Sequence, residues 1–451
     1  MTATAKLSAV VRRVLEQLGG FVKPSASRID DFAIEAGEYD SPCRNWAIVS
    51  FAQVQHPLID GILYCRRGPK HARCLDLLRS DDRAAALTLL LNDRDEYDQQ
   101  PPADEADLRK LIEAVDEGSP APMHRAMQTL RYGPVADYFA IRPAMPTFLS
   151  GLGLLSLTTR GCGRVTEVGC GIGQFLWWLR QCGFDRCGGV DVVFSKLWLA
   201  RQYMIPDVPL AAIDVVDAAV RYASAPETSP VPKPSGATRH LVFCHDVFYF
   251  LKHKAEVLRY FRDAAAPDPR IAIGHTHQRA VDLNASGEPL SVDAYFEVFR
   301  SVLGSDPIAF DDADLLALTL DQRDRVAARA TGELSIAPAL AFVWSSGDLA
   351  VHKSLHRIDS TWQIVLNPQL DRDAASGRWS YRWPDPRFEA EYYDAKYLSL
   401  DERTSALLNR IARQLPCQIG HLVARGSDTS DLLTRRLLLP VELACEIENS
   451  S

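Results

Sequence analysis

Residues 164–175 read Arg-Val-Thr-Glu-Val-Gly-Cys-Gly-Ile-Gly-Gln-Phe: a β-rich run, a glycine turn and the start of a helical pattern. The turn contains three glycines, Gly169, Gly171 and Gly173. A glycine-rich turn between a buried strand and a helix lets the backbone approach a ligand closely, and the first helical turn presents unpaired N–H groups to it. The stretch therefore predicts a strand, a turn and a helix that together bind a nucleotide-like ligand.

Short β-rich runs alternate with helical patterns on both sides of this motif. Strands separated by helices indicate βαβ units and a parallel sheet with helices on both faces, which is an α/β fold. The predicted strands are 164–168, 187–190, 210–213, 240–244 and 270–274, and the predicted helices are 174–182, 195–204 and 255–265. A proline-rich stretch over 225–238 is expected to form an exposed loop between two of these elements.

Three carboxylates indicate the chemistry of the ligand. Dinucleotide-binding turns usually follow G-x-G-x-x-G and bind a pyrophosphate, whereas here Glu167 stands two residues before Gly169 and would repel a diphosphate. A carboxylate at this place suits a ligand with an ammonium group. Asp191 ends the next strand, where it can bind two ribose hydroxyls, and Asp214 follows the third strand, near an expected adenine amino group. Ribose, adenine and an amino-acid tail without phosphate describe S-adenosylmethionine (SAM).

These features resemble, in their order along the chain, the motifs of the class I SAM-dependent methyltransferases. The resembling stretches are Glu167-Val-Gly-Cys-Gly-Ile-Gly173, Gly189-Val-Asp191, Asp214 and His240-Leu-Val-Phe-Cys244. The resemblance implies a Rossmann-like sheet, SAM as the cofactor and a turn that lies beneath its methionine moiety. The cofactor-binding residues that it implies are Glu167, Gly169, Gly171, Gly173, Asp191, Val192, Asp214 and Cys244.

Residues 137–142 resemble the helix that many of these methyltransferases lay over the cofactor. The resemblance implies that Tyr138 meets the sulfonium side of the cofactor and that Arg142 meets its carboxylate. The alternative is a packing role for the tyrosine and a surface position for the arginine.

Four further polar residues follow adjacent predicted strands, His245 and Asp246 after the fourth and His275 and His277 after the fifth. Ligands of open α/β sheets bind beyond the carboxyl ends of the strands, so these residues are the candidates for catalysis. Histidine titrates near neutral pH and suits a general base. We expect an in-line displacement at the sulfonium, with histidine-assisted deprotonation of the acceptor. A hydrogen-bonded structural role is the alternative for each histidine taken singly.

No metal is expected from the sequence. His275 and His277 would share one face of an extended strand, so a metal site with His245 or Asp246 is the alternative. Metal-dependent relatives usually rely on carboxylates, which disfavours such a site here. The N-terminal set Cys43, Cys65, His71 and Cys74 lacks the C-x-x-C pair of zinc ribbons.

Composition and charge favour a small acceptor over nucleic acid. The formal net charge is −8, and the arginines are interspersed with acidic residues, whereas phosphate-binding surfaces carry clustered excess Lys and Arg. The run after the fourth strand, 244–249, reads Cys-His-Asp-Val-Phe-Tyr and lacks the Pro-Pro pair of enzymes that methylate base amines. A small-molecule or carrier-bound substrate from biosynthesis is therefore expected. No apolar run has membrane-spanning length and no secretory signal is recognised, so a cytoplasmic location is expected.

The chain divides, by these patterns, into three regions. Residues 1–131 are expected to form a mainly helical accessory region and 132–280 the SAM-binding Rossmann-like core. Residues 281–451 are expected to form a mixed α+β extension that completes the sheet and covers the substrate site. Two other functions stay open: a SAM-dependent cyclase that releases methylthioadenosine, and a non-catalytic, cofactor-binding scaffold subunit.

Overall fold

The computed structural model describes residues 2–22, 32–51, 53–94, 100–224, 238–281, 287–356, 361–383, 400–419, 432–433, 435 and 437–440. All but the last residue of the predicted proline-rich loop lies outside this part of the chain. Within it, no helix has the length and apolar character that crossing a bilayer requires.

Eleven strands form one large sheet. They are β1 (Ala33–Ser41), β2 (Arg44–Phe51), β3 (Val54–Ile59), β4 (Ile62–Tyr64), β5 (Cys162–Val168), β6 (Cys187–Asp191), β7 (Leu210–Ala212), β8 (Arg239–His245), β9 (Pro269–His277), β10 (Ile308–Asp311) and β11 (Ala339–Ser345). Their spatial order is β1-β2-β3-β4-β7-β6-β5-β8-β9-β11-β10. Strands β7, β6, β5, β8 and β9 are parallel, and β11 runs antiparallel to both β9 and β10. The seven strands from β7 to β10, with one reversed member, have the topology of the class I methyltransferase sheet, which confirms the predicted fold class.

Fifteen α-helices lie in the described part of the chain, and all but the last cover the two faces of this sheet. They are α1 (Ala3–Val22), α2 (Pro69–Arg79), α3 (Arg83–Leu91), α4 (Glu105–Asp116), α5 (Met123–Thr129), α6 (Pro134–Ile141), α7 (Pro146–Thr158), α8 (Gln174–Gln181), α9 (Phe194–Leu199), α10 (Val215–Ser224), α11 (Lys254–Ala264), α12 (Val292–Leu303), α13 (Asp312–Leu320), α14 (Thr331–Leu334) and α15 (Glu402–Ala412). The helices pack on two large apolar cores. One core includes residues of α2 to α9 and α13, and the other includes residues of α1, α10, α11, α12 and α14.

Four of the strands come from residues 33–64, for which the sequence analysis predicted no strand. They extend the sheet beyond β7, where β4 pairs in parallel. Neighbouring residues alternate between the two cores: Trp46 and Ile48 lie in one, Ala47 and Val49 in the other. A strand buried on both faces shows a continuous apolar run and no alternation with polar residues, so the usual strand pattern is absent here. The helical N-terminal region thus also contributes to the central sheet, and the three-way division of the chain stays a prediction.

Helix α1 begins the N-terminal region and contains Gly19 and Gly20 near its end, at Val22. Gly20 packs directly on the end of α11, where an added Cβ would lie 2.0 Å from the Ala264 carbonyl oxygen. The glycine therefore serves close helix packing and does not terminate the helix.

The last part of the chain forms a smaller unit with its own apolar core. Its strands are β12 (Gln363–Leu366), β13 (Leu370–Arg372), β14 (Trp379–Tyr381), β15 (Cys417–Gln418) and β16 (Leu438–Pro440). Strands β15, β12 and β16 form one small sheet, and β13 pairs with β14. Trp362 joins this unit to α8 by contacts with Trp177 and Trp178.

Candidate functional site

The glycine turn after β5 has the backbone that only glycine adopts readily. Gly169, Gly171 and Gly173 all have positive φ, at 72°, 54° and 79°. The space beside the turn is also restricted, because an added Cβ would lie 2.4 Å from Val247 at Gly169 and 2.5 Å from Ile205 at Gly173. All three glycines are therefore required by conformation, and Gly169 and Gly173 are also required by packing.

Glu167, near the end of β5, is a buried carboxylate with an unused oxygen. Its side chain is 2% exposed, and Oε2 has no partner among the described residues. Burial raises the pKa of Glu167 to about 8, against the Arg142 guanidinium, which lowers it, while Asp191 raises it further. Buried polar atoms without a partner are rare, and an orphaned one beside a glycine turn fits a ligand with an ammonium group.

Asp191 connects the glycine turn after β5 to the turn after β6 by hydrogen bonds. Its Oδ2 accepts a hydrogen bond from the Gly171 N–H and its Oδ1 accepts one from the Val193 N–H, both at 2.8 Å. Each carboxylate oxygen has a second lone pair, so these bonds leave capacity for ribose hydroxyls. Val192 lies half-buried between Asp191 and Val193.

Asp214 and Cys244, two further predicted cofactor residues, have structural roles. Asp214 caps helix α10, since its Oδ1 accepts hydrogen bonds from the N–H groups of Val216 and Asp217 at 3.0 Å. Cys244 is fully buried within β8 and belongs to the apolar core on the α11 face, where burial raises its thiol pKa. Contacts of either residue with the adenine or the rest of a cofactor stay a prediction.

A chain of hydrogen bonds links α6 to the loop after β8. Arg142 Nε donates to the Tyr138 hydroxyl at 3.1 Å, and this hydroxyl donates to Asp246 Oδ2 at 2.9 Å. The Tyr249 hydroxyl donates to the second oxygen, Asp246 Oδ1, at 3.0 Å. Arg142 is only 6% exposed and lies over the Phe175 ring, so it is not a surface arginine.

The four candidate catalytic residues gather at the carboxyl ends of β8 and β9. Ligand atoms of Asp246, His275 and His277 lie within 4.8 Å of one another. The His245 ring stacks 5.9 Å from that of His275, and both its nitrogens are buried without a partner among the described residues. Burial, together with His275 and Arg142, lowers the pKa of His245. Asp246 and His275 also have positive φ, at 60° and 45°, a strained backbone that tends to occur at functional sites.

Asp312, at the start of α13, is a site residue that the sequence analysis missed. Its Oδ2 lies 2.9 Å from His275 Nδ1, and both side chains are buried. Helix α13 reaches this position because α7 carries Gly153, where an added Cβ would lie 2.3 Å from the Leu315 carbonyl oxygen. Two adjacent acids at a helix start were the available signal, since one of them, Asp311, suffices as the cap.

Comparison with known proteins finds distant structural neighbours. No protein-family model matches the sequence, and no curated protein is significantly similar to it. Among solved structures, a TehB-like SAM-dependent methyltransferase from Corynebacterium glutamicum is 16% identical, with 44% of this chain and 88% of that chain covered and a TM-score of 0.30. The plantazolicin methyltransferase BamL, solved with S-adenosylhomocysteine (SAH), is 12% identical over 62% of this chain and 99% of that chain, with a TM-score of 0.30. The cyclase SpnF is 13% identical over 46% and 80% of the two chains, with a TM-score of 0.29. These similarities concern the fold alone.

Proposed function

We propose that this protein is a SAM-dependent methyltransferase that acts on a small-molecule or carrier-bound acceptor in biosynthesis. The observation that carries the proposal is the buried Oε2 atom of Glu167 at the glycine turn, which has no hydrogen-bond partner among the described residues. It lies at the same sheet edge as the polar cluster that follows β8 and β9. Parallel sheets bind their ligands at this edge, and the two features supply the two halves of a transfer site.

The chain's residues divide between these halves. Glu167 would bind the ammonium group of SAM, Asp191 its ribose hydroxyls and Arg142 its carboxylate, and Asp214 would lie near the adenine. When bound, SAM would supply a methyl group on its sulfonium. The acceptor would attack this methyl group in line, and SAH would be the leaving group. His245, Asp246, His275 and His277 would orient the acceptor, and an imidazole there takes the proton that a hydroxyl or amine loses.

The burial of the acceptor side supports a small substrate. His245 and His275 are each 2% exposed and His277 is 8% exposed. Only a small molecule, or the narrow arm of a carrier, reaches groups buried to this degree, whereas a nucleic acid needs an open basic surface. The net charge of −8 agrees with this reasoning.

Titration calorimetry with SAH tests the cofactor assignment, with Asp191→Ala as the variant expected to lose binding. Product analysis with SAM and candidate acceptors then tests the reaction. Formation of SAH supports methyl transfer, and formation of methylthioadenosine supports the cyclase instead. Tight binding with neither product would favour the scaffold subunit, and no SAH binding at all would refute all three functions.

A further inference from the structure

We propose that Asp246, His275 and His277 bind a divalent transition-metal ion, preferentially zinc, at the carboxyl edge of the sheet. The three side chains each offer a ligand atom, and these atoms lie within 4.8 Å of one another. Two imidazoles and one carboxylate are the ligand set of many catalytic zinc centres, in which the fourth position is open to water or substrate. This reverses the expectation from the sequence that the protein holds no metal.

Residues around the cluster hydrogen-bond its members, as residues next to metal ligands commonly do. A metal-bound histidine usually donates its other ring N–H to a carboxylate, and Asp312 lies 2.9 Å from His275 Nδ1. A metal bound by His275 would accordingly take Nε2. Both oxygens of Asp246 accept a tyrosine hydroxyl, one from Tyr138 and one from Tyr249, which fixes the carboxylate. Each carboxylate oxygen retains a lone pair for a metal.

His277 supplies the second observation. Its Nδ1 is buried and has no hydrogen-bond partner among the described residues, although the residue is only 8% exposed. The hydrogen bonds within the cluster therefore account for Asp246 and for one nitrogen of His275, but not for this atom. Leaving a buried polar atom unpaired costs stability, and a metal ion in the cluster would satisfy it.

The bound ion would also define the class of acceptor, a step that rests on the proposed function. The open position would take an acceptor oxygen, such as a hydroxyl group, and the metal would lower its pKa and so favour the nucleophilic form. The hydroxyl proton would pass to solvent water, the oxygen would attack the methyl carbon as the carbon–sulfur bond of SAM breaks, and SAH would leave with the electron pair of that bond on its sulfur. An oxygen acceptor is therefore expected in preference to an amine or a carbon atom.

Metal binding by the full-length protein tests the site. After removal of metal with a chelator, Zn²⁺ is titrated by calorimetry, and Co²⁺ is followed by the visible absorption of a low-coordinate complex. We expect one equivalent to bind. His277→Ala and Asp246→Asn should weaken Zn²⁺ binding by more than the roughly 10–100-fold expected for Asp312→Asn, which removes only a positioning residue. His71→Ala, a histidine outside the cluster, is the matched control and should leave the affinity unchanged.

Circular dichroism and thermal unfolding of each variant show whether it is folded, and His277→Gln replaces His277→Ala if the smaller side chain prevents folding. The proposal is overturned if the wild-type protein binds no stoichiometric Zn²⁺ or Co²⁺, or if the affinity survives both ligand substitutions. SAH titration of the same samples separates the two proposals. SAH binding without metal binding refutes the metal site alone, whereas metal binding without SAH binding refutes the proposed function.

Discussion

The protonation of Glu167 gives a quantitative test of where the cofactor amino group binds. Its carboxyl group is buried with a pKa of about 8 in the free protein, compared with an ordinary value of 4.5. Below about pH 7 the free protein therefore carries a proton on Glu167, whereas the ammonium group of a bound ligand favours the ionised form. Binding must then release a proton.

The size of the effect follows from linkage. When one proton is released on binding, the affinity rises about tenfold per pH unit, or about 1.4 kcal/mol. The usable window runs from about pH 5.5 to about pH 7, because the ligand's own amino group begins to titrate above it. SAH affinity should therefore increase roughly thirtyfold across this window.

Calorimetry in buffers of different ionisation enthalpy measures both the affinity and the number of protons released. Glu167→Gln, which keeps the shape of the side chain but cannot ionise, should bind SAH more weakly and lose the pH dependence. Equal slopes in the wild-type protein and in Glu167→Gln would show that another group binds the ammonium, and the assignment of Glu167 would then be wrong.

Three other outcomes are expected. Asp191→Ala should abolish SAH binding and also destabilise the fold by about 2–5 kcal/mol in urea unfolding, because it leaves two buried N–H groups without a partner; undiminished SAH affinity would refute the ribose assignment. Gly173→Ala should destabilise the fold more than Gly183→Ala, since both glycines have positive φ but only Gly173 lacks space for a Cβ; equal losses would contradict the packing argument. His245→Ala should reduce turnover by more than it reduces SAH affinity, and unaltered turnover would remove this residue from the acceptor site.

The core of the sheet could be predicted because local and global signals agree there. The strand before the glycine turn is rich in β-branched residues and the turn needs positive φ. Asp191 ends the next strand and Asp214 follows the third, so the run from β5 to β7 follows from the sequence alone. Strands β2 and β3 could not be predicted in the same way. They are buried on both faces, and a run such as Trp46–Val49 shows no alternation from which a strand can be recognised.

The candidate site was predictable along each strand but not between distant elements. His245 and His275 follow adjacent parallel strands, and the geometry of such a sheet brings them to one edge. The pairing of Asp312 with His275 depends instead on how closely α13 approaches α7, which is decided by a glycine far away in the sequence. The sequence analysis therefore identified four polar residues at this edge but not the carboxylate that holds one of them.

Helix α6 connects Glu167 to Asp246, and so the proposed cofactor half of the site to the proposed acceptor half. Tyr138 and Arg142 are one helical turn apart, so both side chains emerge on the same face. Burial disfavours the charge on Arg142, but Tyr138, Asp246 and Glu167 outweigh it and raise the pKa of the guanidinium. The same cation lowers the pKa of Glu167 and hydrogen-bonds the tyrosine that holds Asp246. A displacement of α6 would therefore alter the electrostatics of Glu167 and the orientation of Asp246 together, and under the proposed function it would affect both halves of the site.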